Sequence, residues 1–220
     1  MWDSVTTNMI LNGILETVYM TVVSTFFGYL LGLPMGILLT TSDKNGLKPN
    51  PFLYKVLDAI SNVVRSVPFL ILLILLIPIT RQLVGKSYGT TATIVPLVIS
   101  AAPYIARMVE SSLKEVDAGV IEAAKSMGAS RIQIVFKVLL VEARTSLITN
   151  ATIALGTVLG YSAMAGTVGG GGLGNIAVQY GYYRYQTDIM IVTVILLIIL
   201  FQVFTNSGMF IARILNHKKA

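Results

Sequence analysis

Long apolar runs alternate with short polar stretches along the 220 residues of this chain. A run of about 20 apolar residues, coiled as an α-helix, is long enough to cross the hydrocarbon core of a membrane. The pattern predicts an all-α integral membrane protein with five transmembrane helices in a single domain, residues 1–220. The five predicted spans are 17–40, 63–79, 90–107, 146–165 and 187–211.

Composition agrees with a membrane protein and offers little for catalysis. Charged residues make up 12% of the chain, against about 25% in soluble domains, and the mean hydropathy is +0.77. The absence of cysteine excludes disulfides and thiolate metal sites, and the single histidine, His217, is interpreted as a tail residue. The first apolar run is too long for a signal peptide, so we expect it to stay in the mature chain. We predict no catalytic residue and no metal site.

Positive charges are divided unevenly between the loops on the two sides of the predicted membrane. Cytoplasmic loops of membrane proteins collect Lys and Arg, and 13 of the 16 basic residues fall on one side. We therefore predict an external N-terminus and a cytoplasmic C-terminus, and this bias explains the net charge of +6 without nucleic acid. The cytoplasmic group is Lys44, Lys48, Lys55, Arg65, Arg107, Lys114, Lys125, Arg131, Lys137, Arg144, Arg213, Lys218 and Lys219, and the external group is Arg81, Lys86 and Arg184.

Glycines recur every four residues in two of the predicted spans. Small residues at this spacing let helix backbones approach closely in lipid. The pattern fits packing within the chain or a seam between two copies, and both interpretations stay open. The glycines are Gly28, Gly32 and Gly36 in the first span and Gly156 and Gly160 in the fourth. We also expect helices to bend or break at Pro34, Pro68, Pro78, Pro96 and Pro103.

The segment 117–133 is charged and lies between the third and fourth predicted spans, on the cytoplasmic side. Asp117 is a predicted N-cap, and Gly128 supplies the left-handed residue that ends the first helix. Ser130 and Gln133 form a predicted capping box that starts a second helix. The sequence therefore predicts two short helices joined by a glycine turn. The first has a predicted apolar face made of Val120, Ile121, Ala124 and Met127.

This segment resembles the EAA signature of permease subunits of bacterial ATP-binding-cassette importers. The matching residues are Glu122-Ala123-Ala124, then Gly128, Val138 and Leu140. Val141 stands where that family usually has Pro, which puts the bend expected at the start of the fourth span in doubt. Much of the remaining chain is similar to the methionine-importing members of the family, including the stretches 65–69, 102–110 and 160–166.

The resemblance implies a type I importer-like permease of the bacterial inner membrane with a cytoplasmic coupling helix. ATP and Mg²⁺ would be bound by a separate ATP-binding subunit, so no cofactor is expected in this chain. The implied partners are two copies of that ATPase, a second permease copy forming a homodimer, an extracytoplasmic substrate-binding protein and membrane lipid. The implied substrate is methionine, with another amino acid or a compatible solute as the alternative.

Two sets of residues carry the expected function. One set, in the segment 117–133, is expected to contact the ATPase, and the other is expected to line the translocation path on the fourth span. The coupling residues are Glu122, Ala123, Ala124, Lys125, Met127 and Gly128, and the path residues are Tyr161, Ser162 and Met164. Core packing is an alternative role for Met164.

Several other interpretations of these features were considered. A DNA-binding helix-turn-helix at 117–133 is disfavoured because its second helix is strongly apolar, and a plain surface loop leaves the motif unexplained. Glycine patterns at 85–87 and 169–174 resemble phosphate loops, and both fall in predicted external loops. The first has Thr80 where the first glycine should be, and no strand precedes the second. An ATPase-independent channel or a secondary carrier is a further alternative, yet no carboxylate lies mid-membrane to relay protons. An intramembrane enzyme lacks a central catalytic cluster.

Two features are predicted close to the membrane surfaces. Arg107 and Glu110 have the spacing of an ion pair at the inner interface. Outside, the glycines 169–172 predict a flexible or closely packed loop, which is also a weaker candidate for contact with a substrate-delivery protein. The tyrosines that follow fit an aromatic belt at the outer interface: Tyr180, Tyr182, Tyr183 and Tyr185.

Overall fold

The computed structural model describes residues 4–215, which form helices and connecting turns without a β-strand. His217, Lys218 and Lys219 lie outside the described residues. The α-helices are α1 (Ser4–Ser42), α2 (Pro51–Ser66), α3 (Phe69–Leu75), α4 (Ile77–Val84), α5 (Thr90–Lys114), α6 (Ala118–Ser126), α7 (Arg131–Gln133), α8 (Leu140–Glu142), α9 (Arg144–Ala165), α10 (Gly172–Ile176) and α11 (Thr187–Ile214). Two π-helical segments, Ile134–Leu139 and Ala177–Tyr182, and a 3₁₀ turn, Gly166–Val168, complete the order.

Four of the five predicted spans are recovered as long apolar helical stretches. These are α1, α5, the stretch Arg144–Tyr182 that begins with α9, and α11. The first begins at Ser4, well before the predicted residue 17, because the apolar and small residues upstream also favour a helix. The helices continue through Pro34, Pro96 and Pro103, so these prolines do not break them.

The second predicted span, 63–79, is not one continuous helix. Its first residues end α2, and the axis then turns by 102° into α3. The break falls at Val67, which is extended (φ −82°, ψ 125°) because the following Pro68 disfavours the helical conformation of the residue before it. A second interruption at Leu76 separates α3 from α4, where Pro78 occupies the first turn. The second predicted span is therefore divided among short helices.

The glycines of the first span pack α1 against α5. A Cβ added at Gly32 would lie 2.6 Å from the backbone oxygen of Ala102, and one at Gly36 would lie 2.6 Å from that of Ala106. Real Cβ atoms do not approach backbone this closely, so only glycine permits this seam. Packing within the chain therefore accounts for this glycine ridge.

The two glycines of the fourth span lie in different surroundings. Gly156 is buried against the ring of Phe201 on α11, where an added Cβ would lie 2.8 Å from the ring. Gly160 is exposed, and an added Cβ would meet nothing within 4 Å. Intrachain packing explains Gly156, whereas Gly160 leaves an open strip of α9 available to another molecule.

The buried core lies where α1, α5 and α9 meet, and it extends beneath the segment 117–133. Met20, Leu97 and Ile105 are among its fully buried side chains. By contrast, α11 packs mainly on α9, and few of its residues are buried. This helix is therefore the most peripheral of the long spans, as expected of a helix that faces lipid.

Candidate coupling surface

The segment 117–133, which we name the coupling segment, has the predicted helix boundaries. Asp117 is the N-cap of α6, and its Oδ1 accepts a hydrogen bond from the Gly119 N–H at 2.7 Å. A side-chain acceptor at this position satisfies a backbone donor that the helix itself leaves free. The start of α6 is thus encoded locally by one residue.

The end of α6 is closed by a Schellman motif around Gly128. Gly128 has φ +79°, in the left-handed region that favours glycine. The Ala129 N–H donates to the Ala124 oxygen at 3.1 Å, and the Gly128 N–H donates to the Lys125 oxygen at 3.0 Å. These are the two bonds that define the motif, so the predicted role of Gly128 as helix terminator is confirmed.

The predicted capping box at the start of the second helix is also present. The Ser130 N–H donates to Gln133 Oε1 at 2.8 Å, and the Gln133 N–H donates to Ser130 Oγ at 3.4 Å. The two caps surround a turn of only a few residues, Met127 to Ala129. The coupling segment is therefore a hairpin whose shape is fixed by its own side chains.

A single apolar face was predicted for α6. Its apolar residues instead divide between the interior and the surface. Ala124 is 6% exposed and packs in one cluster with Ile134 and Val135, and Ile121 packs against that cluster. Met127, at the helix end, is 81% exposed, and Val120 is also exposed. The predicted single apolar face is therefore wrong for these two, because Met127 already lies outside the last helical turn.

Five of the six predicted coupling residues form one exposed surface. The sixth, Ala124, is buried beneath it and fixes α6 to the π-helical segment. A small side chain is needed there because the second helix passes close by. The exposed members are Glu122, Ala123, Lys125, Met127 and Gly128, and Ser126 lies among them.

The second helix of the coupling segment leads into α9 through a π-helical segment, Ile134–Leu139. Sequence reasoning missed this segment, and it missed that Ile132 and Phe136 are exposed beside the coupling residues. Their spacing of four residues was the available signal. Val141, which replaces the family proline, lies in the short helix α8, and the helix is still interrupted two residues later at Ala143.

A network of charged side chains lies at the C-terminal end of α5, just before the coupling segment. The predicted pair of Arg107 and Glu110 is confirmed at 2.6 Å. Arg107 also pairs with Asp58 of α2, and Lys114 pairs with Glu110 at 2.8 Å and with Asp43 at 2.6 Å. We name this set, together with the Tyr54 hydroxyl that donates to Glu110 at 3.2 Å, the α2–α5 brace.

The brace was largely invisible to sequence reasoning. Glu110 and Lys114 have helical i, i+4 spacing, but Asp43 and Asp58 reach them only through the fold. Glu110 is almost completely buried, and a buried carboxylate needs charged or hydrogen-bonding partners to remain ionised. Outside the spans, the hydrogen bond from Lys114 lowers the pKa of Asp43 below its ordinary value.

A cavity of about 1070 Å³, lined by both apolar and polar side chains, borders the coupling segment. Asp117 and Val120 contribute to one wall, and residues of α5 and α9 form others. At its side, the Ser112 hydroxyl accepts hydrogen bonds from Ser146 at 3.0 Å and from the Asn150 amide at 2.8 Å. These bonds join α5 to α9 beside the coupling segment, so a displacement of α6 would alter the cavity directly.

The three predicted path residues do not share one face of α9. The Tyr161 ring stacks on Phe69 of α3 with centroids 4.6 Å apart. Ser162 is fully buried, and its hydroxyl donates to the Leu159 oxygen at 2.8 Å. Met164 is exposed, one turn beyond Gly160. Their role in a translocation path stays a prediction, and within one chain only Met164 is open to another molecule.

The outer glycine loop is closely packed and held by the first span. Glu16 accepts a hydrogen bond from the Gly172 N–H at 2.7 Å, and Thr17 Oγ accepts one from the Leu173 N–H at 2.9 Å. A carboxylate therefore already occupies the N-terminus of α10, where a phosphate would otherwise bind. The other glycine pattern ends α4, since Gly85 is a left-handed C-cap. Neither arrangement forms a phosphate loop.

The tyrosines beyond this loop are largely exposed, as expected for an aromatic belt. Tyr182, Tyr183 and Tyr185 present most of their surface to the surroundings. The Arg184 guanidinium lies 4.3 Å from the centre of the Tyr180 ring.

Among residues 4–215, no group of three His, Cys, Asp or Glu side chains is placed to hold a metal ion.

Apolar spans joined by an exposed hairpin that is closed by its own caps fit the membrane component of a transport system. Residues 28–220 match the family described as "Binding-protein-dependent transport system inner membrane component". The chain belongs to this family. The recognition as an importer permease and the all-α multi-pass fold are thereby confirmed, and this family membership disfavours an ATPase-independent channel or carrier.

Two relatives and a solved structure are similar over most of the chain. The "Probable D-methionine transport system permease protein MetI" of Vibrio cholerae O1 is 46% identical over 217 residues, 99% of this chain and 96% of the relative. The "D-methionine transport system permease protein MetI" of Escherichia coli K12 is 51% identical over 158 residues, 72% of this chain and 73% of the relative. An inward-facing structure of the MetNI methionine ABC transporter has a TM-score of 0.96 at 47% identity, covering 98% of this chain and 100% of that one.

A more distant structure shares the fold. A chain of an amino acid ABC transporter with histidines has a TM-score of 0.77 at 22% identity, covering 94% of each chain. At this identity the likeness shows the fold alone. The helical framework is therefore kept where much of the sequence has changed.

Proposed function

We propose that this chain is the permease subunit of an ATP-driven importer for methionine, in its D and L forms. The names of the similar proteins and the match along nearly the whole chain support methionine over another amino acid or a compatible solute. In this proposal the chain carries no cofactor. ATP and Mg²⁺ are bound by a separate ATPase subunit.

The coupling segment is the proposed contact with that ATPase. The observation that carries this proposal is a hairpin capped at both helices, anchored by the buried Ala124 and exposing Glu122, Lys125 and Met127. A rigid projection of this kind transmits a push or pull without deforming. Because it also borders the cavity between α5 and α9, its displacement would reach the membrane helices directly.

Two copies of the permease are proposed to form the path between them, each bound to one ATPase subunit. The N-terminus is placed outside and the C-terminus inside, in agreement with the charge bias. Closure of the ATPase pair would bring the two coupling segments together and change the path from inward-facing to outward-facing. Complete switching of such an equilibrium needs a difference in binding free energy of about 5.5 kcal/mol, which nucleotide and an external substrate-binding protein would share.

The contact with the ATPase is tested by Glu122→Lys and Gly128→Asp. We expect each change to reduce methionine uptake and substrate-stimulated ATP hydrolysis at least tenfold while the permease still inserts and folds. An added Cβ at Gly128 meets nothing within 4 Å in this chain, so a large loss points to a partner contact or to turn strain.

Glu142→Lys is the matched control for the charge reversal. Glu142 is an exposed carboxylate of α8 that lies outside the coupling segment but lines the same cavity, so its reversal changes the charge of the cavity without changing the proposed docking surface. We expect it to keep most of the uptake. Normal uptake and normal stimulated hydrolysis in both coupling variants would reject the proposed docking surface.

The substrate is tested separately with the assembled transporter. Uptake of labelled methionine should be competed by unlabelled D- and L-methionine and not by other amino acids or by compatible solutes. Equal competition by another amino acid would reject methionine as the specific substrate while leaving the coupling proposal intact.

A further inference from the structure

The short helix α2 presents three chemically different faces. One face is fixed to α5 by the α2–α5 brace, through Tyr54 and Asp58, and Ser61 on the same face is fully buried. These contacts fix the rotation of α2 about its own axis. The two remaining faces therefore point in defined directions.

The second face is an uncovered apolar stripe, made of Phe52, Val56, Ile60 and Val63. Spacings of three and four residues place them in one row along the helix. Phe52 is 78% exposed and Val63 is 64% exposed. Water is an unfavourable environment for such a row, so the stripe needs an apolar partner.

The third face and the connection from α1 are basic. Lys44, Lys48 and Lys55 are exposed, and none of them forms an ion pair with another residue between positions 4 and 215. The nearby acids, Asp43 and Asp58, are already paired with residues of α5. The surface around the apolar stripe therefore carries uncompensated positive charge.

The direction of α2 follows from the bend that ends it. The axes of α2 and α3 differ by 102°, and α3 consists entirely of apolar residues. If α3 enters the bilayer along its normal, α2 runs close to the membrane plane. An amphipathic helix in that plane places its apolar stripe in the acyl chains and its polar face toward the headgroups.

We propose that α2 is an interfacial helix that binds anionic lipids of the cytoplasmic leaflet. The apolar stripe enters the acyl region, and Lys44, Lys48 and Lys55 contact the lipid phosphates. The leaflet assignment rests on the cytoplasmic placement of these lysines proposed above. Anionic headgroups are the matching partner because each lysine near such a surface strengthens binding about fivefold.

This anchor is connected to the energy-coupling part of the molecule. The α2–α5 brace holds α2 on the last turns of α5, and only residues 115–117 separate α5 from α6. The membrane surface would thereby hold the base of the coupling segment in place while the ATPase moves its exposed face.

The chain lacks cysteine, so nitroxide labels can be placed one at a time. We would label Val56→Cys, Ile60→Cys and, as the matched control, Lys55→Cys, in the assembled transporter in nanodiscs of phosphatidylcholine and phosphatidylglycerol. Labels on the stripe should collide more often with oxygen than with a water-soluble nickel chelate. The neighbouring Lys55 label should show the opposite preference.

Two outcomes of this labelling overturn the proposal. Equal access of the nickel chelate to all three positions would place the stripe in water. Poor access of both reagents to Val56 and Ile60 would show that another protein surface, such as the ATPase or a second copy, covers the stripe.

The charge component is tested with spin-labelled lipids. The protein-bound lipid fraction is measured for its preference for phosphatidylglycerol over phosphatidylcholine. In the double variant Lys48→Gln/Lys55→Gln this preference should fall several-fold. The matched variant Arg81→Gln/Lys86→Gln removes two cations from the other predicted side of the membrane. It should retain the preference for phosphatidylglycerol in the same nanodiscs. An unchanged preference in the first variant would overturn the role of the lysines.

The side of the membrane on which α2 lies is measured independently of the depth of its side chains. A membrane-impermeant thiol reagent should modify Lys55→Cys in inside-out vesicles and not in sealed right-side-out vesicles. The reverse result would overturn both the cytoplasmic leaflet in this proposal and the orientation under the proposed function. The depth measurement would still decide whether α2 is interfacial.

Discussion

The two short helices α2 and α6 are held in place by opposite means, because α2 packs on α5 and α6 packs on the π-helical segment Ile134–Leu139. α2 is fixed by ionised side chains that come from distant positions, Asp43 and Asp58, and it exposes an apolar stripe. α6 is fixed by its own caps and one buried alanine, and it exposes the charged Glu122 and Lys125 together with Met127. The first arrangement suits attachment to a membrane, and the second suits a rigid surface for a protein partner.

The comparison is tested most strongly by Glu110→Ala, which removes the centre of the α2–α5 brace. Arg107 and Lys114 would lose the buried carboxylate that they share and would keep only Asp58 and Asp43 as partners, and a hydrogen bond between charged groups contributes about 2 kcal/mol. We expect a clear fall of the thermal midpoint in detergent and faster hydrogen exchange in α2, with little change in α6.

The control for this variant is Glu142→Ala, which removes an exposed carboxylate outside the brace. Its expected effect on stability is within about 0.5 kcal/mol. If Glu110→Ala behaved like Glu142→Ala, or if α6 loosened as much as α2, the brace would not be the element that fixes α2.

A matched pair of alanines tests how α6 is held. Ala124→Leu adds volume at a buried contact with the π-helical segment and should destabilise the coupling segment by about 1–3 kcal/mol. Ala123→Leu adds the same volume on the exposed surface and should leave the isolated permease unchanged. Hydrogen exchange in residues 118–126 distinguishes them, and equal protection in the two variants would contradict the assignment of faces.

Substitutions of Gly128 should have a smaller effect on stability. Gly128→Ala forces a left-handed conformation on a residue with a Cβ, which costs about 1 kcal/mol. Gly128→Asn should be milder, because Asn tolerates this conformation. Protection of the coupling segment from hydrogen exchange should be greatest with glycine at position 128, intermediate with asparagine and lowest with alanine. An equal loss in both variants would show that strain is not the cause.

The smallest expected effect is the pH dependence of the Asp43–Lys114 pair. Lys114 holds the folded-state pKa of Asp43 below its unfolded value of about 3.9, so the pair stabilises the protein at higher pH and is lost as pH falls through the folded pKa. Between pH 7 and pH 3, the wild type should lose about 0.5 kcal/mol more than Asp43→Asn. Parallel thermal midpoints in the two proteins would remove this pair from the brace.

The coupling segment was the most predictable part of the molecule. Asp117, Gly128 and the Ser130–Gln133 box act on backbone groups within three residues, so their effect is written in the local sequence. The same reasoning failed for Met127, because whether an apolar side chain is buried depends on the helix that packs above it. Caps are local, whereas burial is a property of the fold.

The region around α2 was the least predictable. Apolarity alone suggested one span over 63–79, and the effect of Pro68 on Val67 divided it into helices at a steep angle. The partners of Arg107 and Lys114 on α2 and in the preceding loop lie tens of residues away. No single-sequence spacing rule connects them, so the brace could be found only in three dimensions.

The π-helical segment Ile134–Leu139 alters how side-chain directions are read across the join between the coupling segment and α9. Each of its hydrogen bonds encloses one residue more than in an α-helix, so the side-chain directions beyond it are rotated relative to those before it. A helical wheel drawn without interruption from Ile132 to Met164 therefore assigns residues beyond this segment to the wrong face. Residue faces on the fourth span have to be counted from Arg144 onward, and a single insertion or deletion within 134–139 would rotate every face of α9 relative to the coupling segment.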